Sequence, residues 1–143
     1  MGKKRIITGA GSDTEARKAE VAVPKNKRQV LKGTINVASS YNNTIVSITD
    51  PQGGVFAWAT AGSMGFKGAR KSTPYAATLV AKEATEKAKR FGLQEAKIVI
   101  RGIGPGREAA IRGIASTGIT ITSIIDDTPQ AHNGVKPPKP RRV

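Results

Sequence analysis

The chain has 143 residues and a formal net charge of +14, from 24 Lys and Arg against 10 Asp and Glu, with no cysteine and one histidine, His132. This composition excludes disulfides, thiolate metal sites and a zinc site built on histidines, and no stretch approaches the roughly 20 apolar residues of a bilayer-spanning helix. The charge is uneven: residues 1–30 carry a net +5, residues 128–143 a net +4, and the 97 residues between them only +5.

One compact core with two cationic arms is the expected organisation, with an arm over 1–30, a core over 31–128 and a tail over 129–143. The basic start, Met1 to Thr8, has no hydrophobic signal segment behind it, so a cytoplasmic protein is expected. The arm mixes Lys, Arg, Glu and Gly with no sustained period. Ile35 and Val37 mark a first strand, Tyr41-Asn42-Asn43 a short hairpin connection, and Ile45 to Ile48 a second strand. Asp50-Pro51-Gln52-Gly53-Gly54 is a turn, and Val55 to Thr60 follows as a third strand.

From Gly62 to Ser72 the chain is a glycine-rich, basic loop. Thr73 then serves as N-cap and Pro74 as first helical residue, where no amide hydrogen is needed. Ala76, Leu79, Val80, Ala84, Ala88 and Phe91 keep helical spacing, and Gly92 suits the helix end. Ala96 to Arg101 reads as a fourth strand. Gly102 to Gly106 leads into a second helix, with Ala110, Ile111, Ile114 and Ala115 inside and Gly118 ending it. Ile119 to Ile125 is the fifth strand. The order βββαβαβ predicts an α/β domain with a mixed five-stranded sheet and two main helices, its parallel pairs joined by right-handed crossovers.

Two loops tempt a nucleotide reading. Lys71-Ser72 before a helix is P-loop-like, but Arg70 stands where that motif needs glycine. A cationic loop of Lys67, Arg70 and Lys71 beside a helix N-terminus suits phosphate better, an ordinary solvated loop being the plain alternative. Gly104-Pro105-Gly106-Arg107-Glu108-Ala109 fits Gly-x-Gly-x-x-Ala after a strand, with Asp126 about 20 residues on. However, this is the last βαβ unit of the chain, and Arg101, Arg107 and Arg112 cluster near the motif. Three arginines suit a run of backbone phosphates, while a tight turn with a surface charge cluster remains open. A nuclease reading needs converging carboxylates for Mg²⁺, yet Asp50, Asp126 and Asp127 all sit in turns or at a strand end. With 4% aromatics, Trp58, Phe56 and Tyr41 are not expected to form a stacking platform. The proline-stiffened tail carries Lys136, Lys139, Arg141 and Arg142 on an extended chain that suits threading between RNA helices.

Several segments together resemble a family, the bacterial form of small-subunit ribosomal protein eleven. They are Ser40 to Asp50, Trp58 to Gly62, Phe66 to Ala77, Gly104 to Glu108 with Ile111-Arg112, Asp127 to Pro129, and His132-Asn133-Gly134 with the basic ending Pro137 to Val143. The similarity runs from about Val30 to the C-terminus. It implies a ribonuclease-H-like sheet without nuclease carboxylates, and a place on the platform of the small subunit. There the protein would bridge helices of the ribosomal RNA, neighbour proteins seven, eighteen and twenty-one, and help form the cleft for the Shine–Dalgarno duplex of messenger RNA. It also implies RNA contact by Asn42, Asn43 and Asn133. In the arm, which looks longer than the family's usual one, RNA contact is carried only to Lys25, Lys27 and Arg28. The residues themselves predict a non-enzymatic polyanion binder with no cofactor, metal, membrane or small-molecule substrate. A nucleotide-dependent enzyme on Gly104–Ala109 and a protein-only adaptor are the alternatives, the latter distinguished by binding with little salt dependence.

Overall fold

The computed structural model describes residues 28–140. Strands β1 (Lys32–Ser39), β2 (Thr44–Thr49) and β3 (Val55–Thr60) are followed by helix α1 (Pro74–Lys89), β4 (Glu95–Arg101), helix α2 (Arg107–Ala115) and β5 (Thr120–Asp126). The expected order βββαβαβ is the observed one. The sheet order is β3-β2-β1-β4-β5, antiparallel from β1 through β3 and parallel for β1–β4 and β4–β5.

Alternation in the strands sends one set of side chains toward the helices. Ile35, Val37, Val46, Ile48, Ala57, Ala59, Ile98 and Ile100 are buried there. Helix α1 lies across β2 and β3, α2 reaches β1, and the two helices pack on each other. The buried face of α1 is mostly small (Ala76, Ala77, Val80, Ala81, Ala84, Ala88), which lets the helix sit close against the equally small Ala57 and Ala59. Its caps are legible in the residues. The Thr73 hydroxyl accepts from the Ala76 amide, and Pro74 opens the first turn. At the other end the amides of Gly92 and Leu93 donate to the carbonyls of Lys89 and Ala88, the bond pair of a Schellman ending.

The opposite face of the sheet carries no helix. Across its middle run Trp58, Ser47, Asn36, Val99 and Ile125, which oppose one another strand by strand. Trp58 is 55% exposed, so it belongs to this open face and not to the core.

Three local expectations differ from the structure. Helix α1 stops at Lys89, and Phe91, beyond it, packs edge-on against Phe56 with ring centroids 5.4 Å apart. The stretch Gly68–Ser72 is a 3₁₀ turn within the basic loop. Ala115 is exposed, because α2 meets α1 through Ala110, Gly113 and Ile114 and position 115 has rotated past that contact. Gly113 itself escapes a hydrophobic pattern. A Cβ there would lie 2.8 Å from the Thr78 carbonyl oxygen, so its lack of a side chain sets the spacing of the helices.

Ile98 is fully buried and Ile125 is 40% exposed. Ile98→Ala is expected to cost about 2–5 kcal/mol and Ile125→Ala under about 1 kcal/mol. Urea unfolding of both variants measures the difference, and equal losses would contradict the assignment of the two faces.

Candidate nucleic-acid interface

Strands β1, β3, β4 and β5 all run the same way, so their C-terminal ends form one edge of the domain. The β1–β2 turn, the basic loop before α1, the glycine loop before α2 and the start of the tail all leave from that edge. Both helices begin there, so both direct free amides and the positive ends of their dipoles toward it. The segment Arg28–Leu31 enters at the opposite end, where the Val30 amide donates to Phe91 and the Leu31 carbonyl accepts from Gln94 and Glu95.

The edge is stitched together around Ser39 to Thr44. The Ser40 hydroxyl accepts from the amides of Asn42 and Asn43, which closes the turn and leaves Tyr41 at its tip. The Asn43 side chain caps the Thr44 amide at 2.9 Å. From β3, the Ala61 amide reaches the Thr44 carbonyl, and from the glycine loop the Gly104 amide reaches the Ser39 carbonyl. The contact with the glycine loop is so close that only glycine fits. A Cβ on Gly104 would lie 2.2 Å from the Ser40 carbonyl oxygen, and one on Gly102, at φ +99°, 2.1 Å from that of Ser39. Ser39 Oγ and Thr44 Oγ1 are sealed beneath the loop, with no hydrogen-bond partner among the described residues.

The six cations expected in the core divide into three groups. Arg101 donates to Asp127, with Nε at 2.9 Å, and Arg107 donates to Asp126 and, at 2.9 Å, to the Gly102 carbonyl. These arginines are held by the domain itself. Arg112 does not join them: it lies on the last turn of α2, opposite Glu108 and 81% exposed, because helix geometry carries it away from the glycine loop. Lys67, Arg70 and Lys71 have no carboxylate partner among the described residues, and no Asp or Glu occurs between Asp50 and Glu83. Asn42, Asn43, Lys67, Arg70, Lys71, Arg101 and Arg107 therefore share one edge. Asn133, Lys136 and Lys139 lie on an exposed tail that leaves from it, and Arg28 lies at the other end. Lys25, Lys27, Arg141 and Arg142 fall outside the described residues.

The carboxylates of the alternative chemistries are engaged elsewhere among the described residues. Asp126, the residue a dinucleotide reading would place on a ribose, accepts from Arg107 and from the Thr128 hydroxyl at 2.6 Å. Asp50 accepts from the Gly54 amide at the opposite end of the sheet from Asp126 and Asp127. The carboxylates thus do not converge.

A family model described as ribosomal protein S11 matches residues 33–142. The chain belongs to the ribosomal protein S11 family. It is 48% identical over 130 residues to the small ribosomal subunit protein uS11 of Wigglesworthia glossinidia brevipalpis, covering 91% of this chain and 99% of that one. It is 51% identical over 119 residues to the protein of that name from Aquifex aeolicus, covering 83% and 95%. As an S11 protein the chain is a non-enzymatic structural constituent of the small subunit of the cytoplasmic ribosome. The match includes the whole edge described above. Tyr75, Phe66 and the spacing glycine Gly113 are the structural features that charge and motif reasoning passed over. The aromatic residues could have been found from their place beside a carboxylate-free basic stretch.

Two outcomes follow from this geometry. Gly104→Ala is expected to destabilise the chain by about 1–3 kcal/mol, whereas Gly134→Ala, with nothing within 4 Å of the added Cβ, is expected to be neutral. Thermal unfolding compares them. Asp126 is held below its ordinary carboxyl pKa, first by the Thr128 hydroxyl and then by Arg107. Its stabilisation is complete above the unfolded value near 3.8 and is lost as pH falls through the lower folded value. Asp126→Asn should therefore flatten the acid limb of stability below about pH 4.5. An unchanged limb in urea melts from pH 6 to 2 would show that the pair contributes nothing.

Proposed function

We propose that this S11 protein binds small-subunit ribosomal RNA through the C-terminal edge of its sheet, and that it bridges RNA helices on the platform. The observation that carries the reading is the convergence there of Lys67, Arg70 and Lys71, free of carboxylates, with two helix starts. Arg101 and Arg107, oriented by Asp127 and Asp126, flank the glycine loop as preset donors and can exchange a carboxylate for a phosphate. Each phosphate neutralised releases condensed counterions, so the loop lysines and arginine supply affinity while the rigid turn supplies register. The core at 31–128 selects the site in this scheme. The tail from 129 onward, exposed and proline-rich, leaves from the same edge and enters a crevice between RNA helices. The arm over 1–30 reaches RNA on the far side through Lys25, Lys27 and Arg28.

The finer placement follows from family resemblance and suits the surface. Proteins seven, eighteen and twenty-one are the proposed neighbours, and the open sheet face, with Trp58, Ile45 and Ile125 exposed, suits protein contact. Proximity to messenger RNA and to the Shine–Dalgarno cleft belongs to the same proposal.

The test is binding of a platform fragment of small-subunit ribosomal RNA across a salt series. Replacing Lys67, Arg70 and Lys71 together with Ala should lower the slope of log K against log salt by about 2–3, near the 0.7–0.9 expected for each phosphate contact. An unchanged slope would remove the edge from the interface.

A further inference from the structure

Both tyrosines of the chain lie at the proposed RNA edge, and both are exposed. Tyr41, at the tip of the β1–β2 turn, is 63% exposed, and Tyr75, in the first turn of α1, is 68% exposed. Tyr75 meets Phe66 edge-on, with ring centroids 6.2 Å apart and planes at 84°. Phe66 is only half-buried and also lines a cavity of about 380 Å³ with Met64, Lys67 and Arg70. One wall of this cavity is apolar and aromatic, and the other is cationic without carboxylates.

A single exposed tyrosine needs no explanation. The placement of both at the edge where the loop cations have no carboxylate partner among the described residues is a different matter, since phosphate contact can use the tyrosine hydroxyls but leaves the ring faces unused. An A-form duplex keeps its bases stacked inside and offers phosphates and 2′-hydroxyls, which lysines and amides can meet unaided. Aromatic faces become useful when bases are splayed out of the helix.

We propose that this edge takes unpaired nucleotides of the RNA, with a base stacked at Tyr75 and Phe66, a second at Tyr41, and the linking phosphates on Lys67, Arg70 and Lys71. The inference rests on the RNA-binding reading and adds the chemical class of what is bound there: a bulge, loop or single-stranded segment. It also separates two roles within one loop. The cations set the salt dependence, and the rings set the preference for unpaired over paired RNA.

The experiment uses the full chain with two probes of matched phosphate number, a single-stranded oligoadenylate and a blunt RNA duplex of half its length, each titrated at several salt concentrations. Tyr75→Ala is expected to weaken binding of the single strand about tenfold, within the roughly 5- to 150-fold range for one stacked base, with the salt slope unchanged. Duplex binding should stay the same, and Tyr75→Phe should retain the wild-type affinity for both probes. Equal weakening for both probes, or no weakening for either, would overturn the inference. Thermal unfolding of Tyr75→Ala separates loss of fold from loss of stacking. If the triple Lys67, Arg70, Lys71 variant lowers the slope while Tyr75→Ala changes nothing, the interface stands and the stacking falls. If the triple variant leaves the slope unchanged, the interface itself falls.

Discussion

The close approach of the glycine loop to the β1–β2 turn is the contact on which the rest of the proposed RNA edge depends. A parallel strand followed by a helix would ordinarily leave the helix start at some distance from a neighbouring hairpin. Here the Gly104 amide bonds the Ser39 carbonyl, and the absent Cβ atoms of Gly102 and Gly104 let backbone lie directly on backbone. The α2 N-terminus is thereby fixed beside the turn that carries Asn42, Asn43 and Tyr41. The arrangement has a cost, for it buries the hydroxyls of Ser39 and Thr44, which have no partner among the described residues, and an unsatisfied buried hydroxyl costs about 1–3 kcal/mol. A site tolerates such a cost when position matters more than stability.

Electrostatics along this edge works by contrast between paired and unpaired cations. The pairs Arg107–Asp126 and Arg101–Asp127 are exposed, so they contribute little to stability and serve chiefly to hold guanidinium groups in place. The basic loop is the opposite case. With no acidic residue between Asp50 and Glu83, its three cations repel one another and have no carboxylate partner among the described residues. Their charge is open to an outside anion. Elsewhere on the domain Lys32 faces Glu95 and Lys87 faces Glu83, so part of the cationic charge outside the edge is paired.

Much of this was legible in the residues, because the signals were local. Thr73-Pro74 announced the start of α1, Gly92 its end, and the alternation of Ile35, Val37, Val46 and Ile48 the buried face of the sheet. The cationic loop was legible as charge. What escaped depended on pairs of residues distant in sequence. No pattern within α2 shows that Gly113 must admit the Thr78 carbonyl of α1, nor that Asp126 and Asp127 reach back to Arg107 and Arg101. Arg112 was grouped with the other arginines by sequence distance, although helix geometry carries it to the far end of α2. The low aromatic content drew attention away from the aromatics, and so hid that the two tyrosines share one edge.

The division of the sheet into a closed face, an open face and a single functional edge follows from its connections. Both crossovers run the same way along the sheet and place the two packed helices on one side, which buries the aliphatic rows and leaves Trp58, Ser47, Asn36, Val99 and Ile125 with no helix over them. The same parallel order sends every βα loop to one end. A ligand that must touch several loops at once therefore meets this domain at that end, as in open α/β sheets generally. For a polyanion the consequence is directional: the tail departs from the functional edge and the arm enters at the other end. The start of the tail therefore lies beside the basic loop and the glycine loop, whereas Arg28 lies across the domain from them.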